Sequence, residues 1–206
     1  MEHKVVTCRL SDGREVLIRR PVVEKDLDRL LAFYAQLPLA VKNHLRYDVG
    51  KNREVGTKRL EQIDGQSHWR LVAELEDGSF VADGTMDRAM FGWTRYIADI
   101  RLVVEPKYED LGLREALCEE LVRIAQKAGV ERLETEVLAE HESFIGFLEQ
   151  QGFTREVVRK AYAKGVDGKL HDVIIMSNKL EDVWKHLEDH IHEMDISFSR
   201  WSGGYE

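Results

Sequence analysis

Cysteine is nearly absent: the chain of 206 residues has only Cys8 and Cys118. That excludes a disulfide-dense scaffold, and reduced thiols in a cytoplasmic setting are the expectation. Cys118 falls inside a helical pattern and is expected in the core. Long apolar runs are missing too. None approaches the roughly 18 residues of a membrane span, and the opening MEHKVVTCRL lacks the apolar stretch of a secretory leader. No membrane partner is therefore expected. Positive charge is in deficit, with 30 Lys and Arg against 38 Asp and Glu and a net charge of −8. Nucleic-acid binding needs a basic surface to neutralise phosphates, so no nucleic-acid partner is expected either. Low-complexity segments and internal repeats are also lacking. The only prolines, Pro21, Pro38 and Pro106, all fall at the boundaries of periodic segments.

What is present suits a soluble globular protein: 43% hydrophobic and 33% charged residues. The length allows one domain with a sizeable core, read here as residues 1–180, with a C-terminal helix and tail over 181–206 packed on or extending from it. Alternating residues at 4–10 and 15–20 predict a hairpin around Ser11-Asp12-Gly13. Helical spacing follows over 24–36, then over 39–47 and, more weakly, 51–63. Strands are predicted over 69–75 and 79–86, joined at Asp77-Gly78, and over 93–104. A helix over 111–128 carries Leu113, Leu117, Leu121 and Ile124 on one face and ends at Gly129. A strand over 133–138 and a helix over 141–151 come next. A hairpin over 154–163 and 170–178, turning at Val166-Asp167-Gly168, precedes a helix over 180–194 and a loose tail, WSGGYE. This order predicts an α/β fold of the mixed kind: a mostly antiparallel central sheet with one right-handed parallel crossover, flanked by helices.

The richest stretch runs from Ala98 to Phe153. A strand ends at Val104-Glu105-Pro106, and a short loop places Gly112 at the mouth of a helix. Backbone N–H groups delivered to a helix start can hold a pyrophosphate. Val104, Pro106, Tyr108 and Gly112, followed by Glu149, Gly152 and Phe153, resemble the motifs of the GNAT superfamily of acyl-CoA-dependent N-acetyltransferases. The resemblance covers roughly residues 14 to 180. Glu109 stands where that family usually has Arg or Gln, and Arg114 where it has Gly or Ala. His141 replaces an Asn, and Leu148 replaces the tyrosine usually proposed as general acid. The pair Ala98-Asp99 is similar to the Ala-Glu of a branch lacking that tyrosine.

The resemblance implies transfer of an acetyl or other acyl group from acetyl-CoA to a primary amine, of a small molecule or of a protein lysine, with no metal. It implies Asp99 as base and His141 as a second base or cofactor contact. The backbone of Leu102, Val103 and Val104 would polarise the thioester, and Asp110, Leu111, Gly112, Leu113 and Arg114 would hold the pyrophosphate. Each role has a plainer alternative. Asp99 can pair with Arg101 two residues along the strand, and His141 can be a solvent-facing residue near a helix start. Glu109 and Asp110 suit a helix N-terminus electrostatically yet repel phosphate, and Arg114 can either offset that charge or block the site. These substitutions keep open a second reading, a non-catalytic GNAT-like module that senses a ligand or binds a protein. A structural homodimer built on the last hairpin or helix is a third. Arg46 and Asp48 can meet an acceptor or pair at the surface. His186, His190 and His192 read as a solvated helix face, although His186 and His190 lie one turn apart. Trp69, Phe80, Trp93 and Tyr96 read as core or cleft wall.

Overall fold

The computed structural model describes residues 5–45, 53–165, 168–194 and 196–200. Arg46, Asp48, the turn at Val166-Asp167, the end of the helix expected to reach Tyr47 and the WSGGYE tail lie outside them. Two hairpin strands open the fold, β1 (Val6–Arg9) and β2 (Glu15–Arg19), followed by α1 (Val23–Gln36), α2 (Leu39–Asn43) and α3 (Arg53–Glu61). The central strands are β3 (His68–Glu74), β4 (Phe80–Arg88) and β5 (Ile97–Val104). A 3-10 turn over Pro106–Leu111 leads into α4 (Leu113–Lys127), β6 (Arg132–Leu138) and α5 (Glu142–Gln150). The chain then forms β7 (Thr154–Lys164), β8 (Leu170–Lys179), α6 (Leu180–Glu193) and β9 (Ser197–Arg200). No described helix is long and apolar enough to cross a membrane.

The nine strands of the described residues belong to one sheet, in the order β7-β8-β6-β5-β4-β3-β2-β1-β9. Every pair is antiparallel except β5 with β6. The parallel pair requires a crossover, which α4 supplies. The mixed α/β architecture expected from the element order is thus the one observed.

Each sheet face has its own core. On one side α4 and α6 cover Ala82, Met86, Ala98 and Ile100, with Val183, Leu187 and Ile191 of α6 in the same cluster. A side chain at Gly84 would place its Cβ 3.0 Å from Leu117, so the bare glycine lets α4 lie close on β4. On the other side α1 and α3 cover Val72, Phe80 and Val103 through Leu30, Phe33 and Leu60. The C-terminal segment is integral to this arrangement, since β9 extends the sheet beside β1.

Three expectations need correcting. The strand predicted from Trp93 begins at Ile97, because residues 89–96 turn back on themselves and the Ile97 N–H closes that turn on the Thr94 carbonyl. Trp93 is therefore 86% exposed, at a hairpin tip rather than in core or cleft wall, whereas Tyr96 lines an open cleft beside Leu180 and Trp184 and Phe80 is core. The helix expected from 39 stops at Asn43, with His44 as its cap. His141 precedes α5 instead of opening it, and its ring faces protein rather than solvent.

Candidate active site

The parallel contact between β5 and β6 is short. Ile97, Ala98 and Asp99 pair with Arg132, Leu133 and Glu134, and pairing then stops. Beyond it β5 stays bonded to β4 as far as Val104, and β6 stays bonded to β8 as far as Leu138. Each strand follows its outer partner, and a gap opens between them. The phase of the β4–β5 ladder fixes what faces that gap. The Glu105 N–H donates to the Val81 carbonyl at 2.9 Å, and Val104 sits opposite Ala82. Hydrogen-bonded pairs alternate in an antiparallel ladder, so odd-numbered residues of β5 bond to β4 and even-numbered ones point the other way. Leu102 and Val104 therefore direct their N–H groups into the gap. Val103, expected to do the same, commits its N–H to Asp83 on β4.

A cavity of about 80 Å³ occupies the gap, walled by Leu102 to Val104 and by Thr135 to Leu138. Arg114 and Glu109 line one part of it, and His44, His141 and Phe144 another. The Arg114 guanidinium is 2.7 Å from the Glu109 carboxylate, with its side chain only 9% exposed. It also lies 5.6 Å from the Phe144 ring centre and 5.4 Å from that of Phe147, within cation–π range. Glu109 and Arg114 are thus neither independent caps nor free charges: they neutralise each other beside the helix start. Asp110 is exposed and Leu111 half-buried, whereas Leu113 is fully buried in the core, leaving only its backbone for a ligand. Gly112 has φ +83° where the 3-10 turn meets α4. A Cβ there would come within 2.0 Å of Ile196 Cδ1, so the residue before β9 packs on the helix start.

His141 stacks on His44 with ring centres 4.0 Å apart and 18° between planes. Burial, then the neighbouring His44 and Arg114, pushes the His141 pKa down to about 3. Burial likewise lowers that of His44. A neutral, stacked imidazole of such low basicity is a wall of the cavity and a poor proton acceptor near neutral pH. Asp99 pairs with Arg101 at 3.0 Å and lines neither this cavity nor the one described next. Leu148, at the position of the family tyrosine, is fully buried. The histidines of α6 do not converge: His186 Nδ1–H donates to the Asp182 carbonyl, and His190 lies 3.7 Å from Glu115.

A second cavity, of about 60 Å³, lies on the sheet face beneath α1 and α3. Its floor was not expected. Three cross-strand rows reach it: His68 and Asp87; Arg70, Thr85 and Arg101; Asp83 and Val103. Arg70 donates twice to Asp83, at 2.7 and 2.8 Å, and the Tyr34 hydroxyl donates to the same carboxylate at 2.5 Å. Arg101 bonds Asp87 at 3.0 Å, and His68 Nδ1 is 2.7 Å from the other Asp87 oxygen. The signal was in the sequence as charged and polar residues recurring on one alternating face of three successive strands: His68 and Arg70, Asp83, Thr85 and Asp87, Asp99 and Arg101. A sheet face covered by helices has little physical reason to carry them except a polar site. The two cavities share Leu45, Arg101 and Val103 as walls.

A strand pair splayed beside a helix start, with main-chain donors facing the gap, has clear counterparts among known proteins. The family model described as an acetyltransferase (GNAT) domain matches residues 20–174. The chain belongs to the GNAT acetyltransferase family. Among curated relatives of this GNAT chain, the [ribosomal protein bS18]-alanine N-acetyltransferase of Escherichia coli K12 is 34% identical over 93 residues. That match covers 43% of the chain and 62% of the relative, so the chain spans under two thirds of the relative's length. Mycobacterium smegmatis RimJ in complex with CoA-disulfide shares the fold with a TM-score of 0.74 at 18% identity, over 92% of this chain and 97% of that one. The GNAT domain of S. lividans PAT does so at 0.70 and 22%, over 85% and 96%.

Proposed function

We propose that this GNAT chain transfers an acetyl group from acetyl-coenzyme A to a primary amine. The observation that carries the proposal is the splay of β5 from β6, which turns the N–H groups of Leu102 and Val104 into an enclosed gap. Such pre-aimed donors stabilise the oxyanion that develops when an amine attacks a thioester carbonyl. Attack forms the C–N bond, and collapse breaks the C–S bond and releases coenzyme A as a thiol. Arg114 is placed to exchange Glu109 for a pyrophosphate oxygen, a charge-assisted contact reinforced by the positive end of α4. A protein amine as acceptor is supported by the relative whose name specifies an alanine of ribosomal protein bS18. The free and buried Cys8 and Cys118 support a reducing, cytoplasmic compartment as part of the same proposal.

A second reading also has a specific observation behind it. With Arg114 closed on Glu109 and packed by two phenylalanines, the end of the gap near the helix start is filled, as in a module that has lost the donor. Calorimetric titration with acetyl-CoA separates the two. Micromolar binding supports transfer, and Glu109→Gln then tightens it by roughly threefold to tenfold by freeing Arg114. No binding up to millimolar concentration in folded protein rejects transfer in favour of the module.

A further inference from the structure

An alkylammonium cannot attack a thioester until it loses a proton, and the residues singled out from sequence for that task are badly placed. Asp99 is tied to Arg101 and faces neither cavity. His141 is buried, neutral and stacked on His44. The charged floor beneath α1 and α3 offers something better.

We infer that His68, oriented by Asp87, is the general base of this site and that the smaller cavity receives the acceptor as a primary ammonium. The inference rests on the acetyl-transfer reading above. His68 Nδ1 lies 2.7 Å from Asp87 Oδ1, a hydrogen bond that fixes Nδ1 as the protonated nitrogen and leaves Nε2 with a lone pair. Among the described residues Nε2 has no hydrogen-bond partner, and the ring lines the cavity. The side chain is 43% exposed, so a proton taken inside can leave to solvent. Asp87 is itself held by Arg101 at 3.0 Å, which fixes the carboxylate that orients the ring. Asp87 is thus a positioning residue.

Position and size agree. The two carboxylates of the lining, Asp83 and Asp87, are each paired with a guanidinium, Arg70 and Arg101, and Asp87 is the one that meets the His68 ring. Tyr34 of α1 and Arg59 of α3 face the same space from above. A volume of about 60 Å³ admits an amine and a few carbons, with the rest of the acceptor outside. Leu45, Arg101 and Val103 line both cavities, so an amine held in the smaller one adjoins the thioester gap along these side chains. The ammonium gives its first proton to His68 Nε2, directly or through one water, and His68 releases it to solvent. After C–N bond formation the nitrogen loses its second proton as the C–S bond breaks and the thiolate takes one up. Amide, thiol and one free proton result.

The test uses full-length protein with acetyl-CoA and three acceptor probes: propylamine, alanyl-glycine amide and hydroxylamine. The first two need a base near neutral pH, whereas hydroxylamine is largely unprotonated there and needs none. His68→Gln is expected to lower kcat/KM for the two alkylammonium probes at least ~100-fold and to leave hydroxylamine within about threefold. Asp87→Asn is expected to lower the same ratio by a smaller factor. Equal losses on all three probes would mean a merely structural role and overturn the inference. So would unchanged rates, or a wild type that acetylates hydroxylamine but neither alkylammonium. Failure of wild type to bind acetyl-CoA at all would instead reject the transfer reading, a separate result.

Discussion

The Tyr34–Asp83–Arg70 cluster makes a demanding stability prediction. All three groups are at most 5% exposed, and one carboxylate receives three hydrogen bonds from two partners. Asp83→Ala strands the Arg70 guanidinium in the interior without its counter-charge, which costs about 3–5 kcal/mol. Tyr34→Phe removes one hydrogen bond to a charged group and costs about 1.5–3 kcal/mol. Replacing both members of the ion pair in a Tyr34→Phe background, as Arg70→Met with Asp83→Leu, removes the charges together without stranding the hydroxyl and is expected within ~1 kcal/mol of Tyr34→Phe alone. Since a domain is stable by only ~5–15 kcal/mol, the first change removes a large share of the total. Urea unfolding gives each value from the shift in midpoint at constant slope. A cost below ~1 kcal/mol for Asp83→Ala, or a double variant as unstable as the sum of its parts, would refute the claim that this pair is dry and interdependent.

Two further predictions concern the region around the splay. Gly112→Ala imposes a left-handed backbone on a side chain and drives its Cβ into Ile196; a loss of about 2–4 kcal/mol is expected, seen as a drop in Tm of at least ~5 °C, with partial recovery in Gly112→Ala/Ile196→Ala. His141 has its folded pKa lowered from 6.5 to about 3, so below pH 6.5 the unfolded chain takes up a proton that the folded chain refuses. Folding stability therefore falls as pH drops from about 6.5 to about 3, and His141→Gln is expected to flatten that fall in urea titrations across the window.

The sheet and its single crossover were legible because strand alternation and helical spacing are local patterns, and Gly112 and Gly129 mark the limits of α4. The turn at 89–96 was not, because Trp93 and Tyr96 have strand-forming side chains and only the backbone reversal before Ile97 turns Trp93 out to solvent. Among the site candidates, Leu102, Val104 and Arg114 came from the GNAT resemblance, and all three line the gap between β5 and β6. The pairing of Arg114 with Glu109, and of Asp99 with Arg101, each figured among the alternatives, but which alternative holds depends on side-chain packing. His68 and Asp87 went unnoticed because they lie 19 residues apart in sequence and meet only through the β3–β4 register. That register also explains why the charged residues of three strands form a floor rather than scattered surface charges.

The alternation along β5 divides one strand between two tasks. Its even-numbered residues present main-chain N–H groups to the splay, while the side chains of Arg101 and Val103 help wall the smaller cavity. A main-chain N–H survives almost any substitution, whereas a side chain changes with a single codon. If the chain transfers acetyl as proposed, a change at 101 or 103 reshapes the walls of both cavities while the main-chain donors of 102 and 104 remain in place.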